Sequence, residues 1–108
     1  DILMNIMQIM KQAQNVQAKL KASQEELAKM EITGEAAGGA VKVICDGQGR
    51  FKSIKLNAEA LSISSETAEE LEDVITVAIN QASEKASKEM EAKMKQATGG
   101  LNIPGLGF

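Results

Sequence analysis

Histidine, tryptophan and tyrosine are absent from these 108 residues, which hold one cysteine, one proline and two phenylalanines. Without an imidazole there is no general base to activate Cys45 and no Cys/His set with zinc-binding spacing. A lone cysteine excludes an intramolecular disulfide and fits a reducing, cytoplasmic compartment. No apolar run is longer than that of Ile2-Leu3-Met4, far below the roughly 20 residues of a membrane span, and no leader with a basic start and a cleavage site is evident. Asp1-Ile2-Leu3 precede Met4 and are assigned no function, since they read as a cloning remnant. An enzyme is therefore not expected, nor a metal, a cofactor or a small-molecule substrate. The shortage of aromatics, only Phe51 and Phe108, limits the core and makes association an obvious way to bury more surface.

What is present is a balance of 44% hydrophobic and 25% charged residues, the composition of one soluble domain covering 1–108. The net charge is −3, which argues against a crude polyanion binder, yet it is unevenly spread. All six acids between residues 59 and 73 stand without a base, whereas residues 1–30, 31–58 and 83–108 each carry one excess positive charge. The acidity is local, so helical ends can present lysine-rich faces.

Ile6, Ile9, Ala13, Val16, Leu20, Ser23, Leu27 and Met30 recur at alternating spacings of three and four, the seam of a helix predicted over about 4–29. Ile32-Thr33 and the glycines that follow then break the helical pattern and suggest a short edge strand. Val41, Val43 and Cys45 alternate with Lys42 and Ile44, and Asp46-Gly47-Gln48-Gly49 supplies a hairpin turn before a returning strand through Leu56. A two-residue loop, Gly47-Gln48, sets Val41 opposite Ile54 on the core side and Ile44 opposite Phe51 on the other. That second pair has no helix to cover it, which makes Ile44 and Phe51 candidate dimer contacts.

A second long helix is predicted over about 65–97. Thr67-Ala68-Glu69-Glu70 has capping-box spacing, with Ser64 or Ser65 as an earlier start. Acids gather in its opening turns and Lys85, Lys88, Lys93 and Lys95 toward its end, matching the helix dipole. Leu71, Ile75, Ala78, Ala82, Ala86, Met90 and Met94 form its stripe, bulky early and thin later. Gly99-Gly100 stops it, and residues 98–108 are expected to form a mobile tail unless their apolar side chains dock.

The hairpin, Leu71-Glu72-Asp73-Val74-Ile75, the Thr98-Gly99-Gly100-Leu101-Asn102-Ile103-Pro104-Gly105-Leu106 segment and Lys11-Gln12-Ala13-Gln14 together resemble the YbaB/EbfC family of nucleoid-associated proteins. Their order and spacing carry the likeness, which runs from about Met4 to Leu106. The resemblance implies an α+β fold: an α-β-β-β-α protomer with a small three-stranded antiparallel sheet and two long helices, paired through its sheets with the helices projecting as arms. It also implies non-catalytic binding of duplex DNA at the nucleoid, with links to nucleoid organisation, gene regulation and recombination or repair proteins.

For such a role the candidate DNA-contacting residues are Lys11, Lys19 and Lys21 on the first helix and Lys85, Lys88, Lys93 and Lys95 on the last, as sequence-independent phosphate contacts. Charge patterning alone favours reading them as solvated faces interleaved with glutamates; the resemblance reverses that preference for the set, though not for any one lysine. Arg50 is the only arginine, so little base readout is expected. Gly47-Gln48-Gly49 precedes a strand and not a helix, which excludes a phosphate-cradling loop. The alternative reading is a protein-interaction or scaffolding module that uses the Ala/Met-lined helices.

Overall fold

The computed structural model describes residues 1–61 and 68–99. Helix α1 covers Ile2–Lys29, and Asp1 caps it by accepting a 3.2 Å hydrogen bond from the Leu3 amide. It ends where Met30 turns extended, ahead of the β-branched pair Ile32-Thr33. At 28 residues the helix is about 42 Å long, and only its C-terminal part, at Ser23 and Leu27, is buried.

Strands β1 (Ile32–Ala36), β2 (Val41–Cys45) and β3 (Phe51–Leu56) form one antiparallel sheet in the order β1-β2-β3. A single-turn helix follows, α2 (Ala58–Leu61), whose start is fixed by the Asn57 side chain accepting from the Ala60 amide at 3.2 Å. Helix α3 then runs Ala68–Thr98, about 46 Å, with Glu69 and Glu70 in its first turn and Lys95 in its last. Gly99, at φ 65°, ends it, as the glycine pair suggested. The expected caps at Ser64, Ser65 and Thr67, and the tail from residue 100 onward, lie outside the described residues.

Packing places α3 across one face of β1 and β2. Ile32, Val41, Val43 and Cys45 meet Ala78, Ala82 and Ala86 in the core, so the thin part of the stripe is the part pressed onto the sheet. Gly34 permits this, because a Cβ there would lie 2.1 Å from the Ala78 carbonyl oxygen and 2.8 Å from the Ala82 Cβ. At the outer edge of β1, Gln81 accepts from the Glu35 amide at 2.7 Å and the Lys85 ammonium donates to the Thr33 carbonyl at 2.9 Å. Side chains of α3 thus occupy backbone groups that an edge strand otherwise offers to another chain.

The hairpin register differs from expectation. Val41 pairs with Leu56, Val43 with Ile54, Ile44 with Ser53 and Cys45 with Phe51. Two local features cause the shift. Gly49, at φ 87°, joins Gly47 and Gln48 in a three-residue loop, a conformation that glycine adopts without a Cβ penalty. The Asp46 carboxylate locks that loop by accepting from the Gln48 and Arg50 amides at 2.9 and 3.0 Å. A bulge between Ile44 and Cys45 then absorbs one extra residue of β3, which keeps Ile54 and Leu56 on the helix side. Ile44 and Phe51 are consequently not a cross-strand pair: Phe51 stands on the α3 side with Ile54 and Leu56, and Ile44 lies on the opposite face.

Candidate nucleic-acid interface

The seven lysines singled out from the sequence divide into two groups. On α3, Lys93 lies 2.6 Å from the Glu26 carboxylate of α1 with its side chain only 23% exposed. Lys85 holds the β1 edge as described, while Lys88 and Lys95 make exposed i,i+4 pairs with Glu84 and Glu91 at 3.6 and 3.5 Å. Pairs of that kind contribute little and are readily exchanged for another anion. Lys85 and Lys93 are thus engaged with groups of their own chain, Thr33 and Glu26.

On α1, by contrast, Lys11, Lys19 and Lys21 are exposed and make no ion pair among the described residues. From Ile2 to Gln24 the helix contains no carboxylate at all. Gln8, Lys11, Gln12, Asn15 and Lys19 fall at i, i+3, i+4, i+7 and i+11, a polar stripe along one side of the rod. The opposite side continues the seam that buries Leu27, but Ile6 and Ile9 remain exposed because they lie beyond the part packed on α3. The Cα envelope of 74 × 22 × 17 Å is that of a body with a projecting arm.

The Lys93–Glu26 contact joins α3 to the C-terminal part of α1. A hydrogen bond from Lys93, reinforced by its charge, holds the Glu26 carboxyl below its ordinary value of 4.5. A carboxylate depressed in the folded state stabilises above its unfolded pKa, and that contribution is lost as pH falls through the folded value. Acid titration followed by circular dichroism is expected to show a loss of stability below pH 4.5 that is smaller in Glu26→Gln.

Phe51, Ile54 and Leu56 are 44%, 50% and 43% exposed, although they share the face on which α3 packs, because α3 reaches only β1 and β2. This apolar row on the uncovered edge strand was hidden in the sequence by the loop length. Ile44 is half-buried beside Ser53 on the other face.

Cys45 is fully enclosed, and burial, with the nearby negative charge of Asp46, pushes its pKa up, which disfavours the nucleophilic thiolate. Among the described residues no three His, Cys, Asp or Glu side chains gather as a metal site, and no helix is long and apolar enough to cross a membrane.

A long helix, a three-stranded antiparallel sheet and a second long helix define an α+β protein. Comparison with known proteins gives the family: residues 3–101 match the YbaB/EbfC DNA-binding family, and the chain belongs to it. The chain is 44% identical over 95 residues to nucleoid-associated protein tlr0723 of Thermosynechococcus vestitus, covering 88% of this chain and 80% of the relative. It is 42% identical over 103 residues to nucleoid-associated protein DP1429 of Desulfotalea psychrophila, covering 95% of each. With nucleoid-associated protein TTE0040 of Caldanaerobacter subterraneus subsp. tengcongensis it shares 39% identity over 102 residues, 94% of this chain and 90% of the relative.

Proposed function

We propose that this chain is a nucleoid-associated protein that binds duplex DNA as a homodimer, chiefly through phosphate contacts made by its α1 arms. The observation that carries the reading is the carboxylate-free stretch Ile2–Gln24, on which Lys11, Lys19 and Lys21 stand without anionic partners among the described residues. A rod of positive charge follows the duplex backbone without reading its sequence. Pairing two copies doubles the number of such contacts and lets weak ones act together. Lys88 and Lys95 can add to them by exchanging their exposed glutamate partners for phosphates. The apolar row of β3 supports the pairing. A place on the bacterial nucleoid, with roles in its organisation, in gene regulation or beside recombination and repair proteins, belongs to the same reading and accords with the names of the relatives.

Fluorescence anisotropy with a labelled duplex across a salt series tests it. Binding is expected to weaken steeply with salt, by about 0.9 in log–log slope per phosphate neutralised. The triple variant Lys11→Glu, Lys19→Glu, Lys21→Glu is expected to bind at least about a hundredfold more weakly at the same salt, with circular dichroism unchanged. Full affinity in that variant would move DNA to another surface.

One observation favours a second reading, a docking module for another protein. Ile2, Leu3, Met4, Ile6, Met7, Ile9 and Met10 are all 48–77% exposed at the α1 tip, and methionine-rich helix ends adapt to varied apolar partners. Association through that tip is expected to be nearly indifferent to salt, which separates the two readings.

A further inference from the structure

We infer that the uncovered face of the β2–β3 hairpin is a second phosphate-contacting surface, formed by Lys42, Lys55 and Arg50. It rests on the DNA-binding reading above, but places contacts on the sheet face turned away from α3. The register makes it visible. On the face turned away from α3, Glu35, Lys42 and Lys55 form one cross-strand row, and Thr33, Ile44 and Ser53 form the next. Arg50 follows on the same side, opposite Asp46. Lys42 and Lys55 are therefore direct neighbours of like charge, an arrangement that costs stability in a sheet.

The acids nearby do not cancel this charge. Asp46, the hairpin's only carboxylate, is buried in the turn with the Gln48 and Arg50 amides. Glu35 lies 3.8 Å from Lys42, and Glu59 lines, with Lys42, Lys55 and Asn57, an open groove of about 480 Å³. Lys55 and Arg50 have no carboxylate partner among the described residues, and Lys52 adds a further exposed cation at the bulge. Three cations, Lys42, Lys55 and Arg50, thus share this face with the exposed Glu35, and Glu59 lines the groove beside them.

Duplex DNA fits this spacing. From the Lys42–Lys55 row to the Asp46–Arg50 row is four residues, about 13 Å along a strand. That length of duplex axis carries roughly eight phosphate charges, so both rows can meet one duplex together. Edge-strand lysines also serve to discourage sheet-to-sheet aggregation. That role explains neither Lys42 in the central strand nor Arg50 at the turn.

The test compares the full chain with Lys42→Gln/Arg50→Gln/Lys55→Gln on a labelled duplex over a salt series, with light scattering in parallel. Expected is a loss of at least about tenfold in affinity at 0.1 M salt and a log–log slope shallower by about 2.7, at about 0.9 for each of the three contacts, with unchanged circular dichroism and oligomeric state. Lys42→Arg/Lys55→Arg is expected to retain wild-type affinity. If wild type binds and the triple glutamine variant matches it in affinity and slope, the hairpin surface is refuted while the α1 reading stands. If the variant loses binding only by aggregating, the cations guard the edge and the inference fails. If wild type itself binds no duplex, both readings fall.

Discussion

Gly34→Ala is expected to destabilise the fold by about 3 kcal/mol or more, the upper end of what overpacking costs. For a chain of this size that lowers the thermal midpoint by more than about 12 °C. The new methyl group would sit 2.1 Å from the Ala78 carbonyl oxygen and 2.8 Å from both the amide nitrogen and the Cβ of Ala82. Two of those three atoms are backbone, so no rotamer change relieves the clash and α3 has to move away from β1. That movement would also stretch the Gln81 and Lys85 contacts to the β1 edge. Gly38→Ala is the comparison: its Cβ would meet nothing within 4 Å, although its φ of 66° disfavours a side chain, so a loss of about 1–2 kcal/mol is expected. Differential scanning calorimetry of the two variants checks the ranking, and a Gly34→Ala midpoint within a degree or two of wild type would refute the close helix–sheet contact.

Phe51→Lys/Ile54→Lys is expected to turn a dimer into a monomer. Each side chain has roughly half of its surface already covered by its own protomer, leaving on the order of 1 kcal/mol per residue to be gained from a partner. A twofold interface counts every substitution twice, so two changes remove about 4 kcal/mol, roughly a thousandfold in Kd. Burying the introduced ammonium groups would add to the loss. Ile44→Lys, on the opposite face, is expected to leave the dimer intact. Sedimentation velocity at micromolar concentration distinguishes these outcomes. A monomer produced by Ile44→Lys and a dimer surviving Phe51→Lys/Ile54→Lys would place the interface on the other face.

The parts of the fold that were legible in the sequence are those governed by a repeating spacing. The three-four seam from Ile6 to Leu27 identified α1, the stripe from Leu71 to Ala86 identified α3, and the Val41-Val43-Cys45 alternation identified β2. What the sequence concealed depends on single backbone choices or on distant partners. Asp46-Gly47-Gln48-Gly49 is compatible with either a two- or a three-residue loop, and the choice falls to the φ of Gly49 and to the two amides that Asp46 accepts. Phe51 changes face as a result. Helix α2 carried a readable signal, Asn57 as an N-cap three residues before Ala60, but a single turn has no periodicity.

Legibility of the lysines was poorer still. Lys93 meets Glu26 across 67 residues of chain and Lys85 meets Thr33 across 52, and nothing in local sequence distinguishes them from Lys88, which meets a glutamate four residues away. Only docking of α3 against α1 and β1 separates the lysines paired with distant elements from those paired within their own helix. On α1 the informative signal was an absence, the lack of any acid between Ile2 and Gln24, which a sum over residues 1–30 masks by including Asp1, Glu25 and Glu26.

Gln81 and Lys85 seal one margin of the sheet with the chain's own helix, and the consequence is a limit on valence. A ribbon open on both sides adds neighbours without end and grows into fibres. A margin so occupied takes no further strand, so the pairing proposed above, made through β3, would use the sheet's other margin in each copy and growth would stop at two.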